Sequence, residues 1–106
     1  MTRFKLGAVR DFAINEAHPF EFDGEEIVVV RDGESLYAVE DRCSHAEVAL
    51  SDGDVSGCQI ECFLHGASFD VRTGTALSMP ATRPIRTFPV SIEDPDGAAV
   101  AYVEIG

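Results

Sequence analysis

The hydrophobic positions of this chain predict short strands. Residues 26–31 form a β-branched run, and residues 35–40 are apolar at most positions on both faces. The Asp32-Gly33 pair between them is a hairpin-turn signal. Because a half-exposed strand would alternate with polar residues, these two segments are expected to form a hairpin at the centre of a sheet.

Further short segments carry a β-type pattern and are separated by turn residues. They are residues 3–8, 17–22, 58–61, 68–70, 85–93 and 99–105. Asp23-Gly24 marks a tight turn. Residues 41–57 are the least regular region, with room for one helical turn at 46–50 and turn residues at 52–54 and 56–57. Many short strands without a long amphipathic helix predict an all-β sandwich or barrel-like fold.

Length and charge narrow the function. A chain of 106 residues suits one domain and leaves no room for a separate catalytic domain. The net charge of −11 argues against nucleic acid and favours basic protein surfaces, although acidity also serves solubility alone. The N-terminus lacks the apolar core of a signal peptide, and no run approaches the ~18 apolar residues of a membrane helix. We therefore expect a soluble, cytoplasmic protein that binds no membrane.

Two short segments each offer one thiolate and one imidazole, namely Cys43-Ser44-His45 and Cys62-Phe63-Leu64-His65. Such soft donors suit zinc or an iron–sulfur centre and not magnesium or calcium. Zinc fingers usually pair the cysteines in one knuckle and the histidines in another. In a Rieske [2Fe–2S] centre, two cysteines hold one iron and two histidines hold the other, and these symmetric segments fit that division. A structural zinc module remains the alternative from a different class.

The residues around these segments resemble a small soluble Rieske-type ferredoxin. That family includes the electron-carrying component of bacterial aromatic-ring dioxygenases. The resemblance rests on residues 43–48, 62–74 and 80–84, and it extends over residues 41–90. It implies that the chain is a single Rieske domain, with an antiparallel β-sandwich base and a small cluster-binding subdomain at residues 41–84.

The resemblance also implies a cofactor and its surroundings. One Rieske [2Fe–2S] cluster would have four protein ligands, Cys43, His45, Cys62 and His65. Gly66 would let the backbone approach the cluster or adopt a positive φ, which a side chain would obstruct. Pro80 would shield the cluster from one side without ligating it.

The function that the resemblance implies is one-electron transfer. The chain would take electrons from a flavin-containing reductase and pass them to a Rieske non-haem iron ring-hydroxylating dioxygenase. It would have no catalytic residues of its own, because it lacks a second histidine and carboxylate set for a mononuclear iron. A similar small Rieske protein of iron–sulfur cluster assembly stays open as an alternative. The Rieske-like small subunit of nitrite reductases is another, although those proteins often lack ligands that are present here.

The same resemblance predicts a low redox potential. High-potential respiratory Rieske proteins have a disulfide between the two loops and two hydroxyl donors after the second histidine. The matching positions here are Val48, Leu64, Ala67 and Phe69. Because none of these can supply the disulfide or a hydroxyl, we expect a potential of roughly −150 mV, the low end of the Rieske range. Strand geometry should turn Ser68 to the opposite face.

Other polar residues are expected to be structural. The odd count of three cysteines argues against a disulfide framework. Cys58 is expected on a strand as a small buried hydrophobic side chain and not as a third ligand. His18 is expected to be a surface or half-buried structural residue. The acidic pairs Glu25-Glu26 and Glu40-Asp41 are expected to be solvated.

Overall fold

The computed structural model describes residues 2–42, 48–63, 66–77, 84–94 and 97–105. These residues form strands and two short 3-10 helices, Val9–Asp11 and Leu50–Asp52. The strands are β1 (Thr2–Ala8), β2 (Ala17–Phe22), β3 (Glu25–Asp32), β4 (Ser35–Glu40), β5 (Asp54–Ser56), β6 (Gln59–Glu61), β7 (Ser68–Asp70), β8 (Thr87–Phe88), β9 (Val90–Glu93) and β10 (Val100–Ile105).

Within these ranges the strands form three sheets. Sheet 1 has the order β1-β10-β9, sheet 2 the order β2-β3-β4-β8, and sheet 3 the order β5-β6-β7. Each hydrogen-bonded pair of strands is antiparallel. The predicted all-β fold class is confirmed.

Strand β3 is buried on both faces and holds the layers together. Ile27 and Val29 enter a core that also contains alternate residues of β10, between sheets 1 and 2. Val28 and Val30 point the other way, into a core that contains residues of sheet 3. All four side chains are inaccessible to solvent. Because both faces of β3 are covered, sheet 2 is the middle layer. Burial of each such aliphatic side chain stabilises the fold by about 1.5–3 kcal/mol.

The predicted central hairpin is confirmed. Strand β3 pairs with β4 from Ile27 opposite Glu40 to Asp32 opposite Ser35. The predicted turn before β3 is also present. Its residues Asp23 and Gly24 have φ values of 54° and 82°, and two consecutive positive φ values are what a type I′ turn requires.

The prediction of one strand at residues 85–93 is wrong, because the segment forms two strands. Strand β8 pairs with β4 in sheet 2, whereas β9 pairs with β10 in sheet 1. Pro89 lies at the break. Proline has no N–H to donate to a ladder and is confined to strand ends and edges, so the chain leaves one sheet there and enters the other.

The irregular region is more ordered than its turn residues predict. Residues 54–56 form strand β5, which pairs with β6. The strand expected from Cys58 begins at Gln59, and Cys58 lies in the turn that follows β5. The helical turn expected at 46–50 lies mostly outside the described residues.

Candidate metal centre

Cys62 stands just after β6, at the base of the loop that leads to β7. Its N–H donates to the Ala67 carbonyl oxygen at 2.6 Å, and the Gly66 N–H donates to the Cys62 carbonyl oxygen at 3.0 Å. These bonds close the base of the loop at residues 62–67, which is the second ligand loop. Gly66 has a φ of 73°, a conformation that costs a residue with a side chain about 1–2 kcal/mol. A positive φ is one of the two roles predicted for this glycine.

The Cys62 side chain is inaccessible to solvent and lies in the core that sheets 2 and 3 share. Ile60 and Phe69 belong to the same core. Burial of a cysteine is common in any core. The feature that fits an iron–sulfur centre is a buried soft donor at the base of a closed loop, with His65 three residues further along that loop.

The other three predicted ligands, Cys43, His45 and His65, lie outside the described residues, as does Pro80. Within the described ranges, no group of three or more His, Cys, Asp or Glu side chains is placed to hold a metal ion. The complete ligand set therefore stays a prediction.

The first ligand loop follows β4 and runs from Asp41 to Ser51. Asp41 forms hydrogen bonds with Ser51 at the other end of this loop. Asp41 Oδ1 accepts the Ser51 N–H at 2.7 Å, and Asp41 Oδ2 accepts the Ser51 Oγ–H at 2.7 Å. Only 7% of Asp41 is exposed, so the prediction of a solvated residue is wrong. Sequence analysis misses this carboxylate because its partner lies 10 positions away. The sequence signal that could have indicated this contact is an aspartate just before the first ligand segment and a serine a few residues after it.

The neighbouring residue Glu40, at the end of β4, is joined to Arg86, just before β8. The Glu40 N–H donates to the Arg86 carbonyl oxygen at 2.9 Å, and Glu40 Oε1 accepts the Arg86 N–H at 3.0 Å. The Arg86 guanidinium also forms an ion pair with Glu25. The prediction of solvated carboxylates is therefore wrong for Glu40 and Glu25, whereas Glu26 is exposed.

The third loop, which contains Pro80, is closed between Gly74 and Ile85. The Ile85 N–H donates to the Gly74 carbonyl oxygen at 2.9 Å. On the way into the loop, the Leu77 N–H donates to the Ser68 carbonyl oxygen at 2.8 Å. The loop therefore begins as an extension of sheet 3.

The residues on which the predicted low potential rests belong in part to the same core as Cys62. Ala67 and Phe69, the positions matched to hydroxyl donors, are both inaccessible to solvent. Ser68 is partly exposed between them, in agreement with its predicted opposite orientation. Val48 is half-buried, and Leu64 lies outside the described residues.

Cys58 differs from its prediction. It is half-buried, and its thiol donates to Asp32 Oδ2 at 2.9 Å. Burial, followed by this hydrogen bond and the negative charge of Asp32, raises the pKa of the Cys58 thiol. A thiol held in its protonated form is a poor metal ligand, which agrees with its exclusion from the ligand set.

His18 is a half-buried structural residue, as predicted. Its Nε2 lies 3.3 Å from the Ala13 carbonyl oxygen. The His18 ring packs edge-on against Phe12, with 4.9 Å between ring centroids. Phe12 belongs to the core between sheets 1 and 2.

Comparisons with known proteins agree with this geometry. The chain matches the Rieske [2Fe-2S] domain family over residues 2–89. The ferredoxin component of biphenyl 2,3-dioxygenase from Rhodococcus jostii (strain RHA1) is 43% identical over 96 residues, which cover 91% of this chain and 90% of that protein. The ferredoxin of carbazole 1,9a-dioxygenase from Nocardioides aromaticivorans IC177 has a TM-score of 0.86 at 36% identity, covering 96% of this chain and 97% of that one.

A further solved structure is a complex of reduced oxygenase and oxidized ferredoxin in carbazole 1,9a-dioxygenase. The matching chain is 33% identical with a TM-score of 0.81, and the match covers 93% of this chain and 91% of that one. The chain therefore belongs to the Rieske [2Fe-2S] domain family. Within it, the chain is a ferredoxin of the dioxygenase-component type, an electron carrier with a [2Fe–2S] cluster and not itself the oxygenase. In the described part of the chain, no helix has the length and hydrophobicity needed to cross a bilayer.

Proposed function

We propose that the chain is a single Rieske domain whose cluster has four protein ligands, Cys43, His45, Cys62 and His65. Gly66 gives the backbone close access to the cluster, and Pro80 shields one side of it. Residues 41–84 act as a cluster-binding subdomain on the base that sheets 1 and 2 form. Two links support this division: the Leu77 N–H bonds to Ser68 between the third and second loops, and Glu40 bonds to Arg86 between the end of β4 and the end of the third loop.

The proposed role is to carry single electrons from a flavin-containing reductase to a terminal Rieske non-haem iron oxygenase in the cytoplasm. When it is bound, the cluster supplies the one-electron chemistry. The residues of the chain hold it and exclude water from the Cys62 side. Because the two similar ferredoxins are named for biphenyl and for carbazole systems, we expect the oxygenase to determine the aromatic substrate.

The observation that carries this proposal is the placement of Cys62. It is fully buried at the base of a loop that is hydrogen-bonded on both sides and that continues to His65. Its neighbour Phe63 is 57% exposed. A buried sulfur donor beside an exposed apolar side chain suits a centre that must be protected from water and also approached by another protein.

The overall charge suits a transient encounter with basic partners. A net charge of −11 steers association with positively charged surfaces, and salt screens such steering. Neither nucleic acid nor a membrane is required. We expect the rate of electron transfer to the oxygenase to fall as ionic strength rises.

The direct test is reconstitution with purified reductase and oxygenase. Electron transfer is followed by stopped-flow absorbance in wild type, Cys62→Ser and Cys58→Ser. Both substitutions remove one sulfur, but only the first removes a proposed ligand. We expect Cys62→Ser to abolish the cluster and the transfer, and Cys58→Ser to retain both.

The outcomes separate the alternatives. Full transfer in Cys62→Ser would refute the ligand assignment. A wild-type protein that binds stoichiometric zinc and no iron would support the structural zinc module. A wild-type cluster that no dioxygenase system reduces or oxidises would favour a role in cluster assembly, against which the dioxygenase relatives now argue.

A further inference from the structure

The three loops beside sheet 3 are closed by different chemical groups. Backbone groups close the second loop through Cys62 and Ala67, and backbone groups close the third through Gly74 and Ile85. The two ends of the first loop are joined by the side chain of Asp41, which accepts two hydrogen bonds from Ser51. Among the described residues, the first loop is therefore the one whose two ends are joined by an ionisable side chain.

Both ends of this closure are anchored in the fold. The Asp41 N–H donates to the Glu26 carbonyl oxygen of β3 at 3.0 Å. On the other side, Leu50 precedes Ser51 and is inaccessible to solvent in the core of sheets 2 and 3. The carboxylate thus connects the central strand of the molecule to the segment that returns from the first loop.

The burial of Asp41 makes this closure hard to open. A carboxylate accepts stronger hydrogen bonds than a neutral group does. Asp41 is only 7% exposed, so if Ser51 moved away its carboxylate would lose these donors, and an unpaired buried charge is strongly unfavourable. The closed arrangement is therefore favoured before any cofactor binds.

We propose that Asp41 is a positioning residue that pre-organises the first ligand loop for the cluster. By holding Ser51 to the end of β4, it reduces the conformational freedom of the segment that carries Cys43 and His45. Less ordering is then needed when these side chains meet their partners on the second loop. This inference rests on the proposed ligand set.

The test compares four variants with wild-type holoprotein. Asp41→Ala removes both hydrogen bonds. Asp41→Asn keeps an acceptor for the Ser51 N–H, and its amide can donate to Ser51 Oγ. Ser51→Ala removes the hydroxyl bond alone. Asp52→Ala is the matched control, because Asp52 is an exposed aspartate next to Ser51 whose side chain makes no hydrogen bond or ion pair within the described residues.

The first measurement is the rate of iron release to a chelator, well below the unfolding temperature. Two lost hydrogen bonds to a charged acceptor predict an increase of about tenfold or more in Asp41→Ala. We expect smaller increases in Ser51→Ala and in Asp41→Asn, whose neutral amide makes weaker bonds, and a rate within about twofold of wild type in Asp52→Ala. Far-UV circular dichroism checks that each variant is folded, and the EPR spectrum of the reduced cluster should broaden in Asp41→Ala and not in Asp41→Asn.

The second measurement is amide hydrogen exchange in the protein as purified. Faster exchange of the Ser51 amide in Asp41→Ala, with unchanged exchange in β3, supports local loosening of the loop. This readout stays informative if the wild type binds no iron–sulfur cluster, a result that would contradict the proposed function separately.

The proposal is overturned if Asp41→Ala releases iron at the wild-type rate, or if Asp52→Ala accelerates release equally. If Asp41→Ala does not fold, Ser51→Ala decides the question, and a wild-type release rate in that variant overturns it. Release from Asp41→Asn as fast as from Asp41→Ala would also overturn it, because the amide can form both bonds in weaker form.

Discussion

Gly74 and Ile85 approach each other so closely that there is no space for a side chain on the glycine. A β-carbon at Gly74 would lie 2.1 Å from the Ile85 carbonyl oxygen. The same two residues share a hydrogen bond from the Ile85 N–H to the Gly74 carbonyl oxygen. The close backbone contact fixes where the third loop leaves sheet 3 and where it returns to sheet 2.

We expect Gly74→Ala to destabilise the protein by more than about 2 kcal/mol, because it combines a left-handed backbone with overlap against a main-chain atom. Gly33→Ala is the matched control. Gly33 has a φ of 63°, close to the 78° of Gly74, but a β-carbon there meets nothing within 4 Å. The control should therefore lose about 1 kcal/mol from backbone strain alone.

Urea unfolding followed by circular dichroism measures both variants. If Gly74→Ala were no less stable than Gly33→Ala, the close contact would have no energetic significance. We also expect faster iron release from Gly74→Ala at a temperature where it remains folded, since the loop that carries Pro80 would be displaced.

The second prediction concerns the reactivity of Cys58. Burial and the hydrogen bond to Asp32 raise the pKa of its thiol, so alkylation of the holoprotein by iodoacetamide should be slow at neutral pH. The rate should rise as pH passes the raised pKa, because the thiolate is the nucleophile. Asp32→Asn removes a negative charge and offers an amide donor, so it should lower the pKa and increase the rate at a given pH.

The pH dependence of stability has a definite sign at the same site. A thiol whose pKa is raised in the folded state contributes fully to the free energy of unfolding below its unfolded pKa, and this contribution is lost as pH rises through the folded pKa.

Alkylation of wild type as fast as that of Asp32→Asn over the whole pH range would contradict the role of the Asp32 carboxylate.

The third prediction concerns the redox potential. Ala67→Ser with Phe69→Tyr would introduce hydroxyls at both positions that match donors of high-potential proteins. Donors near the sulfurs stabilise the reduced cluster, so the midpoint should rise from roughly −150 mV towards the upper part of the Rieske range. Phe88→Tyr adds a hydroxyl in sheet 2, outside the ligand loops, and should leave the midpoint unchanged.

Redox titration of the three proteins measures this effect. Because a buried hydroxyl without a partner costs about 1–3 kcal/mol, the double variant should also lose stability if its hydroxyls do not reach the cluster. A stable double variant with a wild-type midpoint would show that these two positions do not set the potential.

The parts of the fold that local chemistry determines could be predicted from sequence. The hairpin of β3 and β4 follows from apolar residues on both faces and from Asp32-Gly33 between them. The positive φ at Gly66 is one of the two roles that the absence of a side chain allows. The spacing of Cys62 to His65 is a local pattern, so the sequence alone predicts Cys62 as a ligand.

The remaining features depend on partners that are distant in sequence. The sequence around Asp41 and Glu40 is typical of exposed acids. Their hydrogen-bond partners, Ser51 and Arg86, are brought to them only by the fold. Apolar residues alternate with other residues across Pro89 and so predict one continuous strand, although the chain changes from one sheet to another there. For the two carboxylates, the hydrogen-bond partner and not the residue type decides the structure.

The central claim is that this chain is a low-potential Rieske electron carrier, and an EPR-monitored redox titration of the purified protein tests it most directly. The account predicts a Rieske-type signal that appears on reduction with a midpoint of roughly −150 mV. A distinctly positive midpoint would contradict the argument from Ala67 and Phe69. No signal at any potential, together with stoichiometric zinc, would contradict the electron-transfer function itself.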